Sequence, residues 1–491
     1  MTAPTASTNP PAPPAHASRP TRLFWRIWNR PCWFYAAVSL LFGTVFAVCV
    51  PINAAPDEPV HMYRAYEVAH GHFISQKVDG QAVVEIPKSL VETGEKNAEG
   101  KVIHWDPTVR TSLSQTADLV FNTPLNKHDT EVVNTALTSS YSPIAHLPQA
   151  VAVIVGETVN MSPGGIFMLA RLLTLLVRTA LGVLAVWLWR DKQWGLAALL
   201  LLPMAVAQSA VLGGDAMSIG LSALFISLAL YLRRTAERGP IGWLKVAGLA
   251  GLAGAVALTK PGVVVCVGAL LVVPAGRLLR RFGWAAKAGI ILFAGMCALG
   301  WLYVASQGLS AGYDDGVSRD SSFQFSYLLH HPAMAFLLMT REFISLRGND
   351  NIISFAGNFG AMDTPLPLGV AVPILICAAA YLLCYHGRLS VLPRRTRVFL
   401  LVVAVGFVWV TALGMYIVGS EPGAPTIWGL QGRYFLPVLP LLLPVMPALA
   451  KMTRRWYMRL VRIMPVAWLV ISLVYVINRY YQTPLYELLL I

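Results

Sequence analysis

The residues of this 491-residue chain best suited to chemistry follow its first long apolar run, in Ala55-Pro56-Asp57-Glu58-Pro59-Val60-His61. Asp57 has the type and position of a helix N-cap, and Pro59 suits a first helical turn. The pattern predicts a helix from about Asp57 to His70, ended by Gly71. On that helix Asp57, His61 and Arg64 fall on one face by i, i+4 and i+7 spacing. A carboxylate held beside a His and an Arg can act as a general base. On composition alone the pattern first describes a capping Asp on a solvated helix.

Candidate cations lie far away in sequence. Lys260, in Thr259-Lys260-Pro261-Gly262, is the one basic residue in a short turn where the membrane charge rule disfavours it, and Pro261 starts the next helix. The N-terminal dipole of that helix adds to the preference for an anion, which makes Lys260 the first candidate for phosphate binding. Arg171 and Arg178 lie seven residues apart inside one apolar run, where charges are costly and mark a pathway, a partner or a site. Arg171 is near enough to the end of that run to reach a lipid phosphate; Arg178 lies deeper and can pair within the bundle. Gln431-Gly432-Arg433-Tyr434 opens another run, where Arg433 is either a phosphate ligand or an interfacial anchor. Asp215, in Gly213-Gly214-Asp215, is expected to cap the helix that follows. A further polar group comprises Arg341, Glu342, Arg347, Asn349 and Asp350, and Asp314, Asp315 and Asp320 form an acidic group best read as solvated loop. The histidines of the first long loop, His61, His70, His72, His104, His128 and His146, have no zinc spacing, and no metal or other cofactor is indicated.

The elements that must position these groups are membrane helices. The chain is 56% hydrophobic and 13% charged, against roughly 25% charged residues in a soluble domain. Apolar runs predict 11 spans, near 33–51, 164–188, 194–212, 215–232, 241–258, 261–276, 284–305, 367–385, 398–418, 432–450 and 462–479. The resulting fold class is an all-α polytopic membrane protein. Its expected parts are a disordered tail 1–32, a membrane domain 33–479 with long loops at 52–163 and 306–366, and a short tail 480–491. The first span follows Arg19, Arg22, Arg26 and Arg30 and reads as an uncleaved signal anchor. Within the first loop, Leu147–Val159 is too short to span and is expected to be interfacial or re-entrant. The six cysteines lie in or beside apolar runs, and no disulfide framework is implied.

With the N-terminus placed in the cytoplasm, the inside segments hold 23 of the 38 Lys and Arg residues but only Asp191 and Glu237 of the 24 acidic ones. This asymmetry sets the expected orientation, with both long loops and Asp57, Asp215, Lys260 and Arg433 on the opposite side. It also explains the net charge of +14 without a nucleic-acid partner.

The run Pro56-Asp57-Glu58-Pro59-Val60-His61 with Arg64-Ala65-Tyr66, Tyr141-Ser142-Pro143, Leu147-Pro148-Gln149, Gly214-Asp215, Lys260-Pro261 and Gln431-Gly432-Arg433-Tyr434-Phe435-Leu436-Pro437 resembles a bacterial membrane family catalogued as a domain of unknown function. That family is similar to the GT-C superfamily of membrane glycosyltransferases, whose catalytic acid lies in the first outward loop. The resemblance implies a GT-C-like fold in the bacterial cytoplasmic membrane. It also implies an inverting glycosyltransferase that uses a polyprenyl-phosphate sugar donor and a glycan, lipid or protein acceptor at the extracytoplasmic surface, among membrane lipids. It puts Asp57 at the catalytic position with Glu58 as alternate, and it implies substrate contacts from His61, Arg64, Arg171, Asp215, Lys260, Arg341, Arg347, Gln431, Arg433 and Tyr434. Some members of the superfamily use a divalent ion. The chain ends soon after its last predicted span, so acceptor selection is expected to fall to the loops. The competing expectations are a transporter or flippase of lipid-linked sugars, for which Arg171 and Arg178 would line the path, and a noncatalytic scaffold or sensor.

Overall fold

The computed structural model describes residues 27–79, 81–94, 100–103, 106, 108–189, 192–306, 320–344, 347–386, 391–446 and 450–481. Asp314, Asp315, the side chains of Arg347 and Asn349, and most of the two predicted tails lie outside the described residues.

Helix α1, Pro31–Cys49, carries no charge; Pro31 supplies the preset φ of a first turn, and Pro51 follows its end. Helix α2, Glu58–Ala69, lies one residue inside the predicted bounds at each end, and Gly71 follows at φ +80°. The first loop then departs from the all-α expectation. Gln76–Val78 (β1), Gln81–Pro87 (β2) and Thr130–Asn134 (β3) form an antiparallel sheet in the order β1-β2-β3, with Val84 opposite Val133. Its signal is the period-two pattern of β2, which buries Ala82, Val84 and Ile86 and exposes Gln81 and Glu85. Those three residues are inside because the sheet has α2 and its neighbours to pack on: Val84 and Ile86 share an apolar cluster with Met62, Ala65, Ile166 and Phe167.

Helix α3, Pro143–Thr158, begins a turn before the predicted interfacial segment. One face buries His146, Gln149, Ala152 and Val153, while Leu147, Val151, Ile154 and Val155 are exposed. A short helix with one apolar face uncovered suits the plane of a membrane surface. Helix α4, Pro163–Leu188, packs on α1, and a side chain at Gly182 would overlap the Tyr35 ring, so close approach requires glycine there.

The predicted run 194–212 is broken into α5, Gln193–Leu200, and α6, Pro203–Ala207. Pro203 has no N–H and disfavours helix at Leu202. The break frees the Leu200 carbonyl, which accepts from Arg178 Nη2 at 2.8 Å, while Arg178 Nη1 donates to the Tyr35 hydroxyl at 2.8 Å. Helices α7, Asp215–Arg234, and α8, Trp243–Thr259, precede a 3-10 helix at Pro261–Val272, long for this tight winding. Beyond it come α9, Gly283–Ser306; α10, Pro332–Ile344; α11, Arg347–Ala356; α12, Leu368–Leu383; and α13, Arg394–Gly419. The predicted run 432–450 divides into a 3-10 turn, Gly432–Val438, and α14, Leu439–Val445, within a stretch that holds Pro437, Pro440 and Pro444. Helix α15, Arg454–Tyr480, is the last described.

Among the described residues six helices, α1, α4, α7, α9, α13 and α15, are long and apolar enough to cross a membrane. The other predicted spans are helical but shorter or broken. The architecture is that of a mostly helical, multi-pass membrane protein with a small sheet. Its long helices hold the Gly213-Gly214 turn, Lys260 and the start of the Gly432–Val438 turn at one end, beneath α2 and α3.

Candidate functional site

Asp57 occupies the N-cap of α2 as predicted, but not in the predicted way. Its backbone is left-handed, φ 56°, and its side chain makes no capping bond. This conformation is uncommon outside glycine, although Asp tolerates it better than most residues. The carboxylate is left exposed and without a hydrogen bond or ion pair among the described residues. Its charge is felt at His61, Tyr141 and Arg433, so it lies on their side of the molecule.

The cations meet around Asp215. This residue is the first of α7 rather than its cap, a place taken by Gly214, and its side chain turns to a different task. Lys260 Nζ donates to Asp215 Oδ1 at 2.6 Å, and Arg433 Nε lies 3.5 Å from Asp215 Oδ2. Lys260 also sits 3.9 Å over the Tyr434 ring and 5.8 Å from that of Tyr141. Burial alone would lower the Lys260 pKa, but Asp215 and the two tyrosines outweigh it and raise it, so the ammonium stays protonated. Arg433 is 5% exposed, yet its Nε and Nη1 make no hydrogen bond. Lys260 and Arg433 meet at Asp215, with Asp57 a second acid whose charge reaches Arg433. The unbonded Nε and Nη1 of Arg433 are spare donors in a largely buried site, a condition that favours an acceptor-rich or anionic group.

His61 faces this group from α2. Its Nδ1 lies 2.9 Å from Nε2 of His146, and the rings stack at 5.1 Å, with Tyr141 edge-on to both. Burial pushes the His61 pKa down to about 4, against the opposing pull of Asp57 and Asp215, so the ring is neutral near pH 7. Burial likewise holds His146 well below its usual value. Tyr141 is pushed up to about 12, chiefly by burial. The segment carrying these residues is tied to the helix ends below it. Ser142 Oγ donates to Leu258 O at 2.6 Å, Gln149 Nε2 to Gly213 O at 3.0 Å, and Trp301 Nε1 to Ser140 O at 2.8 Å.

Three predicted site residues are held behind this cluster. Glu58 is fully buried; its Oε1 accepts from Arg171 Nε at 2.8 Å and Leu212 N at 3.1 Å, and its Oε2 from Arg171 Nη2 at 2.6 Å. Arg171 also donates to the carbonyls of Ala47, Val50 and Pro51. These bonds commit Glu58 and Arg171 to each other and to the backbone around them. Arg64, also fully buried, bonds Glu67 and the carbonyls of Tyr141, His72 and Phe73, and so shapes the loop. Arg341 is exposed and donates to Pro425 O at 3.3 Å, and Gln431 has a buried Oε1 without a partner. Of the predicted residues the structure thus gathers Asp57, His61, Asp215, Lys260, Arg433 and Tyr434.

Sequence reasoning placed neither Tyr141 nor His146 in the site. A signal existed: with Pro143 opening a helix, His146 and Gln149 stand three residues apart on one face. An apolar groove of about 420 Å³ lies between α10 and α13 and is lined by Phe336, Phe343, Leu401, Val405, Val438 and Leu442 among others. Val438, at the end of the turn that Gly432 and Arg433 begin, is one of its lining residues. Among the described residues no three His, Cys, Asp or Glu side chains converge as a metal set.

Comparison with curated proteins and with solved structures gave no match. The family described as predicted membrane protein (DUF2142) matches residues 40–442, a stretch that contains every member of the cluster from Asp57 to Tyr434. The chain belongs to that family of membrane proteins.

Proposed function

We propose that this protein is an inverting glycosyltransferase with a GT-C-like fold that moves a sugar from a polyprenyl-phosphate donor to an acceptor hydroxyl of the cell envelope. The reading rests on one observation above all: Asp57 is exposed and unbonded and its charge reaches Arg433, which, paired with the half-buried Lys260 around Asp215, keeps Nε and Nη1 without a hydrogen bond. In the proposed step Asp57 takes the proton of the acceptor hydroxyl, whose oxygen attacks the anomeric carbon. The bond from that carbon to the phosphate oxygen breaks, and its electron pair leaves with the lipid phosphate. Lys260 and Arg433 stabilise the charge that develops there. The apolar groove between α10 and α13, which shares the Gly432–Val438 turn with Arg433, suits the prenyl chain.

The surplus of basic residues on the opposite loops supports an extracytoplasmic site with the N-terminus in the cytoplasm of a bacterial cell. The transporter reading loses its main support, because Arg171 and Arg178 spend their donors on Glu58, Tyr35 and backbone carbonyls. Replacing Asp57 with Asn tests the assignment. Sugar transfer from extracted polyprenyl-phosphate sugars is expected to fall about 10²–10⁴-fold, while lipid phosphate still copurifies. Undiminished transfer by Asp57→Asn removes the base and with it the proposed mechanism.

A further inference from the structure

A second group of buried polar atoms without partners lies on Gln431, the chain neighbour of Gly432, on Asn351, which packs against Gly432, and on Glu342, which bonds Asn351. Glu342 of α10 is 3% exposed and Asn351 of α11 7%. Asn351 Nδ2 donates to Glu342 Oε1 at 3.2 Å, yet Glu342 Oε2 and Asn351 Oδ1 have no partner, and neither has Gln431 Oε1. These residues are linked through short contacts. Ser354 Oγ donates to Asn351 O at 3.3 Å and accepts from Gly432 N at 2.7 Å. Gly432 is pressed so closely on Asn351 that a β-carbon there would overlap its carbonyl oxygen. Arg433, with its unbonded Nε and Nη1, is the next residue.

An unbonded acceptor in a protein interior costs about 1–3 kcal/mol, and a carboxylate oxygen more. All three spare atoms here are acceptors, so they match a ligand rich in donors. A metal cation would satisfy them only against the repulsion of Arg433 and Lys260. Neutral hydroxyls satisfy them without that penalty, and a phosphate attached to the same ligand meets the unused donors of Arg433. We infer that Glu342, Asn351 and Gln431 form a subsite for the hydroxyls of the glycosyl group whose phosphate rests on Arg433. This inference rests on the donor class proposed above and assigns its sugar-recognising residues.

The test is mass spectrometry of the lipids that copurify with the full-length protein in mild detergent, for the wild type and for Glu342→Gln, Gln431→Ala and Arg433→Gln. Each variant is first matched to the wild type in elution and unfolding temperature; Gln431→Ala, at a partly exposed position, guards against a folding defect at Glu342. The wild type is expected to carry glycosylated polyprenyl phosphate. Glu342→Gln and Gln431→Ala are expected to lose the glycosylated form at least tenfold relative to the bare lipid phosphate, and Arg433→Gln to lose both. An unchanged ratio in Glu342→Gln and Gln431→Ala, or a wild type that carries only bare lipid phosphate, overturns the subsite and leaves the phosphate reading standing. A wild type with neither lipid overturns the proposed donor and the subsite together.

Discussion

Arg171 and Glu58 form a two-point ion pair across 113 residues of sequence, Nε to Oε1 at 2.8 Å and Nη2 to Oε2 at 2.6 Å, with both side chains fully buried. The pair fastens α4 to the start of α2, and the further bonds of Arg171 to the carbonyls of Ala47, Val50 and Pro51 fasten the end of α1 to the same point. Asp57 therefore emerges from a chain held immediately on its C-terminal side.

Removing one partner of this pair strands a buried charge. Arg171→Met is expected to destabilise the protein by about 3–5 kcal/mol, read as an earlier thermal unfolding transition in detergent. The double variant Arg171→Met with Glu58→Gln is expected to regain part of that loss, since the stranded charge is gone. If Arg171→Met unfolds like the wild type but sheds lipid phosphate, Arg171 is a ligand and the structural assignment fails.

Asp57 invites the opposite experiment. Its left-handed backbone suits glycine better than any side chain, so Asp57→Gly is expected to match or exceed the wild type in unfolding temperature, by up to about 1 kcal/mol. Sugar transfer should nonetheless collapse. Such a split assigns the strain at Asp57 to function, because a carboxylate kept only for capping would be missed in the stability measurement. A clear loss of stability in Asp57→Gly contradicts this account.

The contrast between Asp57 and Glu58 marks how far sequence could go. The α2 boundaries, the cap position and the candidacy of Lys260 and Arg433 followed from local rules: cap residues, a stop at glycine, and charges where the membrane disfavours them. Which of two adjacent acids turns outward did not follow. That choice is made by the φ of Asp57 and by Arg171, 113 residues beyond Glu58, and no local pattern encodes either. Asp215 was legible as a helix start, but its bond to Lys260, 45 residues on, was not. The 3-10 winding of Pro261–Val272 also escaped, because an apolar run reads alike in either helix. The small sheet was legible in the alternation of β2 but was outweighed by the apolar runs around it.

A second long-range pair offers another test. Arg479, in the last turn of α15, bonds Asp363 and the carbonyls of Ile103, Asp106 and Val109, while the Tyr480 hydroxyl bonds Asp363 Oδ1 at 2.8 Å and Ala54 O at 3.4 Å. Asp363 thus holds Arg479 and Tyr480 in place, and these in turn reach the 103–109 carbonyls and Ala54. Asp363→Asn keeps the shape but loses the charge, and is expected to cost about 1–3 kcal/mol. Limited proteolysis of the 100–110 segment should speed up in parallel. Unchanged cleavage and unfolding would show that the tie contributes little.

The histidine pair predicts how stability responds to acid. His61 titrates near pH 4 in the folded protein because it is buried, against about 6.5 in the unfolded chain, and His146 is lowered in the same direction. The groups facing His61 are Asp57, Asp215, Lys260, Arg433 and His146, and their charges partly cancel. Below pH 6.5 the unfolded state takes up protons that the folded state refuses, so the stabilisation is present above pH 6.5 and declines as the pH falls toward 4. The slope is about 1 kcal/mol per pH unit for each histidine that remains neutral. Unfolding temperatures measured from pH 7.5 to 4.5 should therefore fall for the wild type, and His146→Phe, which keeps an aromatic ring against Tyr141, should flatten that fall. A wild type whose unfolding temperature is level across this range would mean that the pair binds protons in the folded state, and that His61 is not held neutral beside Asp57.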